Sequence, residues 1–196
     1  HLQAGVQGLF AVCGTSQMQH LSWEEQVELA RRAARKSHVP VVATANSEPD
    51  ITKHVTRVKE MADTGVDGLV LVPPPEPLHS DTEWFSYFEL LIAAAQIPCI
   101  LYEWPGRRPR FIPPHIYKQL VDMGVRGIKD TTCTLAGILA KIEVKGASTI
   151  FQAHAPLLLE AMHRGAEGIM AIFSAGCPQL AVRWWQALEE EQQDRL

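Results

Sequence analysis

Four times along the chain a Gly-x-x-Gly tetrad stands directly before an apolar run: Gly5-Val-Gln-Gly8, Gly65-Val-Asp-Gly68, Gly124-Val-Arg-Gly127 and Gly165-Ala-Glu-Gly168. Three other apolar runs alternate with these and have a different lead-in, two of them following Val39-Pro40 and Ile97-Pro98. The seven runs begin near Gly8, Val41, Gly68, Cys99, Gly127, Thr149 and Gly168. They are short and continuously apolar, the pattern of strands buried on both faces of a parallel sheet. Between them lie amphipathic helices. Ile51, Val55, Val58 and Met61 recur at helical spacing, as do Trp84, Phe88, Leu91 and Ala95. Ser22 with Glu25, and Ser80 with Glu83, have capping-box spacing. The first glycine of each tetrad is placed to end a helix in the left-handed conformation.

Strict alternation of strand and helix predicts either a doubly wound open sheet or a closed (β/α)8 TIM barrel. In the barrel, odd and even strands supply alternate interior layers. A repeat that alternates between two kinds of strand lead-in fits that layering. Four of one kind and three of the other fall one short of eight. The opening His1-Leu-Gln-Ala-Gly reads as the end of a helix. The expectation is therefore one partial TIM-barrel domain over residues 1–196, with strands two to eight present and the first βα unit missing. A length of 196 residues against roughly 250 for a typical barrel points the same way. The doubly wound sheet stays open as the alternative.

Composition removes several function classes. The net charge is −4 with both signs interspersed, whereas a nucleic-acid footprint needs clustered excess Lys and Arg. A 46% hydrophobic, 20% charged chain has the make-up of a globular protein rather than a disordered one. No apolar run reaches the length of a membrane span, and no signal peptide is visible at its start. Cys13, Cys99, Cys133 and Cys177 form no CxxC pair, which argues against a zinc site or disulfide scaffold and suits a reducing cytoplasm. Neither a nucleic-acid nor a membrane partner is expected.

In a barrel the chemistry sits at the C-terminal ends of the strands. Those ends carry Gly14-Thr15-Ser16, Asn46-Ser47, Pro73-Pro74-Pro75, Tyr102-Glu103, Lys129-Asp130, His154 and Ser174. Lys129 in an apolar setting has the makings of a Schiff-base nucleophile; the alternative is a lysine paired with Asp130 at the rim. Tyr102 can relay protons beside an amine, or be a half-buried tyrosine whose hydroxyl meets solvent. Thr15 and Ser16 offer hydroxyl and N–H groups for a carboxylate, or form an ordinary turn before a helix. Arg107 can grip an anion, or be a solvated loop charge. The scattered His and carboxylates speak against a metal-dependent enzyme.

Taken in order, these residues resemble the dihydrodipicolinate synthase and N-acetylneuraminate lyase family of class I aldolases. The pieces are Gly14-Thr15-Ser16 with Leu21-Ser22, Val39-Pro40-Val41, Tyr102 with Pro105, Gly127-Ile128-Lys129-Asp130, and Gly165-x-x-Gly168-Ile169. The resemblance covers essentially the whole chain. It implies a (β/α)8 barrel whose C-terminal helical extension is absent here, no cofactor, and a homo-oligomer (dimer or tetramer) of the complete protein. It implies Lys129 as the lysine that attacks the keto carbon of pyruvate or a related 2-oxo acid. Tyr102 would be the proton relay, Thr15 the hydroxyl linking that tyrosine to substrate, and Ser16 a holder of the keto-acid carboxylate. Arg107 would meet the second substrate's carboxylate, and Met170 lie near the bound keto acid. The chain departs from the family pattern at Gln17-Met18, Pro74-Pro75, Glu103 and Asp130. Those departures imply a divergent member that keeps the Schiff-base core and acts on a different partner, of sugar-acid type. A barrel that binds a small anion without catalysis is the competing reading.

Overall fold

All seven apolar runs are strands. The structure, a computed structural model, describes residues 1–105 and 111–190. The strands are β1 (Leu9–Phe10), β2 (Val41–Thr44), β3 (Gly68–Leu71), β4 (Cys99–Tyr102), β5 (Gly127–Asp130), β6 (Thr149–Gln152) and β7 (Gly168–Ile169). The helices are α1 (Trp23–Lys36), α2 (His54–Ala62), α3 (Asp81–Ala95), α4 (Pro114–Asp122), α5 (Leu135–Ile142), α6 (Leu158–His163), α7 (Ile172–Gly176) and α8 (Pro178–Glu189). Among the described residues, no helix is long and apolar enough to cross a membrane.

The strands form one parallel sheet in the order β1-β2-β3-β4-β5-β6-β7. A doubly wound sheet reverses its strand order part-way; this one never does, which rules out that alternative. The sheet is also rolled. Neighbouring strands lie about 4.8 Å apart, so four strand spacings on a flat sheet would separate β1 from β5 by about 19 Å. Yet the Phe10 ring centroid is 5.2 Å from Lys129 Nζ, and 5.8 Å from the Tyr102 ring on β4. Seven in-order parallel strands curled in this way make a TIM-barrel-like arc. Among the described residues β1 and β7 are its edges, and the 3-10 turn Leu2–Ala4 lies near α8, with His1 Nε2 3.0 Å from the Ala175 carbonyl oxygen.

Strand alternation divides the apolar runs between two cores. Ala43, Leu69, Leu71, Leu101, Ile128 and Ile150 face the helices. Val70, Val72, Ile100 and Tyr102 face inward, with Phe10, Val42, Trp104, Phe151 and Met170 packed on them. The two glycines of each tetrad serve different ends. The first takes positive φ at the turn into the strand: 84° at Gly5, 88° at Gly65, and 108° at Gly124 and Gly165. The second makes room. A Cβ on Gly168 would stand 2.7 Å from Phe151 Cε1, and one on Gly127 3.3 Å from Phe151 Cε2.

Ser22 and Glu25 form the full capping box. Ser80 accepts from the Glu83 N–H, but the Glu83 carboxylate accepts from His79 N–H, one residue earlier than the spacing predicts. Trp84, Phe88, Leu91 and Ala95 are all buried, as their spacing predicts. Ile51 is not: it lies in a 3-10 turn before α2 and is 48% exposed, while His54 takes the buried position.

Candidate active site

The rolled sheet brings Tyr102 and Lys129 together. They are register partners on β4 and β5, and Phe151 on β6 is the next residue in the same row. Lys129 is buried, with Nζ 4.4 Å from the Tyr102 ring centroid and 5.2 Å from the Phe10 ring centroid. Among the described residues no carboxylate pairs with it. The acid beside it in sequence, Asp130, faces the helices and pairs with Lys141, so the rim ion pair considered for Lys129 does not form. Burial lowers the Lys129 pKa to about 8, a fall opposed by the nearby Cys13 sulfur. Burial likewise raises the Tyr102 pKa, so its phenol keeps its proton across the neutral range. A desolvated amine beside a protonated phenol is suited to attack on a carbonyl and to protonation of the oxygen that leaves.

The turn after β1 lies over this pair. Gln17 N–H donates to the Gly14 carbonyl, closing residues 14–17 with Gln17 at φ 57°. A Cβ on Gly14 would be 3.5 Å from the Tyr102 hydroxyl and 3.1 Å from Trp104 Nε1; the missing side chain lets the turn approach the phenol. Thr15 is exposed at the tip. Ser16 Oγ accepts from Cys13 N–H at 2.8 Å and donates to Cys13 O at 3.0 Å, so it spends its one donor inside the turn. Met170, whose N–H donates to Gln152 O, packs on the inward cluster. Arg107 lies outside the described residues. Among the described residues, no three His, Cys, Asp or Glu side chains converge as a metal site would require.

The sequence profile of the Dihydrodipicolinate synthetase family matches residues 1–195. The chain belongs to that family. It is 28% identical over 195 residues to the putative 2-dehydro-3-deoxy-D-gluconate aldolase YagE of Escherichia coli K12, covering 95% of this chain and 64% of YagE. It is 27% identical over 173 residues to the 4-hydroxy-tetrahydrodipicolinate synthase of Oceanobacillus iheyensis, covering 87% of this chain and 59% of that protein. The chain thus spans less than two thirds of the length of these curated relatives. The crystal structure of YagE in complex with pyruvate superposes with a TM-score of 0.89 at 26% identity, over 97% of this chain and 66% of that one.

This member of the dihydrodipicolinate synthetase family carries a buried ionic cluster that the sequence reading did not find. Lys141 on α5 places its ammonium 2.8 Å from Glu103 Oε1 and 3.1 Å from Asp130 Oδ1. Glu103 and Asp130 are two of the positions that the resemblance marks as departures, and the lysine meets both. Burial raises the Glu103 pKa, an effect that the Lys141 charge opposes. The signal for Lys141 was present: it lies three residues after Ile138, on the buried stripe of α5, where a solvated lysine has no place. Phe10, Cys13 and Trp104 were also missed as site residues. They come from segments far apart in sequence, which only the rolling of the sheet brings together.

Proposed function

We propose that this protein is a Schiff-base lyase or aldolase acting on pyruvate or a related 2-oxo acid, making or breaking a carbon–carbon bond through an imine on Lys129. The observation that carries the reading is the desolvated Lys129 amine, set among aromatic rings with no carboxylate partner among the described residues. The neutral amine attacks the keto carbon. The Tyr102 phenol protonates the resulting hydroxyl, which leaves as water and gives the protonated imine. That imine is an electron sink, so loss of a C3 proton to the Tyr102 phenolate left by the previous step yields an enamine that adds to an electrophilic carbon; cleavage runs the steps in reverse. The keto-acid carboxylate is received at the 14–17 turn by the Thr15 hydroxyl and the N–H groups of Thr15 and Ser16. Ser16 shapes that turn through its bonds to Cys13, and Met170 borders the acid.

We assign the second substrate to the sugar-acid type, an aldehyde rather than the imine partner of a dihydrodipicolinate synthase. Two facts support this. Pro74-Pro75 stands where the resemblance leads one to expect an aromatic pair, and the 28%-identical relative YagE is named as a putative 2-dehydro-3-deoxy-D-gluconate aldolase. Borohydride trapping tests the proposal. Incubation of the complete protein with pyruvate, reduction, and intact-mass and peptide analysis should give a pyruvate-sized adduct on Lys129, absent from Lys129→Ala. No adduct with pyruvate or with a panel of other 2-oxo acids would overturn the reading, and calorimetric binding without an adduct would favour the non-catalytic barrel.

A further inference from the structure

Each member of the Tyr102–Lys129 pair is followed in the chain by an acid, and one lysine holds both acids. Consecutive strand residues face opposite sides. With Tyr102 and Lys129 turned into the barrel, Glu103 and Asp130 point out toward α5, where the Lys141 ammonium sits between them. All three side chains are fully or almost fully buried. Both carboxylates take further donors. Glu103 Oε1 accepts from Ile112 N–H at 2.8 Å, Asp130 accepts from the Thr132 hydroxyl at 3.0 Å and from the Gln152 amide at 3.5 Å, and the Thr131 hydroxyl donates to the Glu103 carbonyl. Gly137, one turn before Lys141 on the same face of α5, permits this approach: a Cβ there would stand 2.6 Å from Thr132 Cβ.

A buried cluster of this kind adds little net stability over an apolar filling, but it tolerates few geometries, because misplacing one member leaves another charge uncompensated. What it fixes here is the end of β4 relative to the end of β5, at the level where the inward side chains are Tyr102 and Lys129. Resting on the Schiff-base reading above, we propose that Lys141 is a positioning residue. Through Glu103 it holds the Tyr102 phenol, and through Asp130 it holds the Lys129 amine, so that the two stay in working register. Lys141 itself touches no substrate. The two arms differ in reach: Asp130 acts on the attack of the amine, and Glu103 on both proton transfers through Tyr102, at the leaving hydroxyl and at C3.

The test reads both steps in the complete protein: the rate of borohydride-trappable imine formation at saturating pyruvate, and the exchange of the pyruvate methyl protons in deuterium oxide followed by NMR. The triple variant Glu103→Gln, Lys141→Met, Asp130→Asn removes every charge of the cluster at similar volume and leaves no unpaired ion. It should keep a native near-ultraviolet spectrum and a pyruvate KM within about threefold, while both maximal rates fall at least about tenfold through misplacement of the reacting groups. Glu103→Gln alone should slow exchange more than trapping, and Asp130→Asn the reverse. A folded triple variant with both rates within twofold of the parent and an unchanged pH midpoint overturns the proposal. If the triple variant does not fold, equal effects of each single variant on both steps overturn it. No adduct in the unaltered protein sinks the imine reading and this inference with it. An adduct in the unaltered protein alongside undisturbed variants sinks this inference alone.

Discussion

At Lys129 the folded state bears a cost that the proposed chemistry needs. A fall in pKa from 10.5 to about 8, at about 1.4 kcal/mol per unit, corresponds to about 3 kcal/mol lost from stability at pH 7. The sign is that of a depressed lysine. Between pH 8 and 10.5 the unfolded chain holds a proton that the folded chain has released, so stability rises with pH across that window. Lys129→Met should abolish this rise and be more stable than the parent by about 2–3 kcal/mol at pH 7. Urea melts at pH 7 and pH 9.5 check both points, and a variant weaker than the parent at pH 7 would mean that the amine is not desolvated. The same depression sets the trapping reaction. Its rate should climb with pH to a midpoint near 8, since only the neutral amine attacks. Tyr102→Phe keeps the ring against Lys129 and removes the proton donor. It should slow imine formation by about 100-fold, the scale of one acid–base group, with pyruvate affinity little changed. Single-turnover trapping would show it.

At the scale of elements, the strands were legible because a strand buried on both faces has one composition on both faces, and three of the glycine tetrads mark where α2, α4 and α6 stop. Helix α3 was legible for a related reason, its four buried residues standing at regular helical spacing. Ile51 misled because a 3-10 turn advances fewer residues per turn than an α-helix, which rotates that position off the buried stripe. Lys129 and Tyr102 could be singled out from their strand ends, but their pairing could not, since register is a property of two strands. Lys141 escaped because a lysine on an apolar stripe looks like an error until its two acids are found. The second tetrad glycines make a checkable claim about packing. Gly168→Ala should drive the Phe151 ring toward Lys129, its register neighbour on β5, and destabilise by about 1–3 kcal/mol as overpacking does. A thermal melt unchanged to within a degree would refute the close approach.

At the scale of the molecule, order of pairing and order of sequence coincide, so protection should grade smoothly across the sheet. Strands β3, β4 and β5 have a partner on each side and an outer layer of helices, whereas β1 and β7 are two residues long with one partner each. Native-state hydrogen exchange should find the amides of Leu69, Leu101 and Ile128 among the slowest and those of β1 and β7 among the fastest. Uniform protection from β1 to β7 would contradict it. The central strands are also those that carry Tyr102-Glu103 and Lys129-Asp130. On the proposed chemistry the inner residue of each dipeptide belongs to the reaction and the outer one to the frame, so a lineage built on this plan can be edited by parity. Substitutions confined to inward positions would change what the barrel mouth admits while every anchor behind it stays tied. A directed-evolution library restricted to those alternate positions would explore new substrates without first having to relearn how to fold.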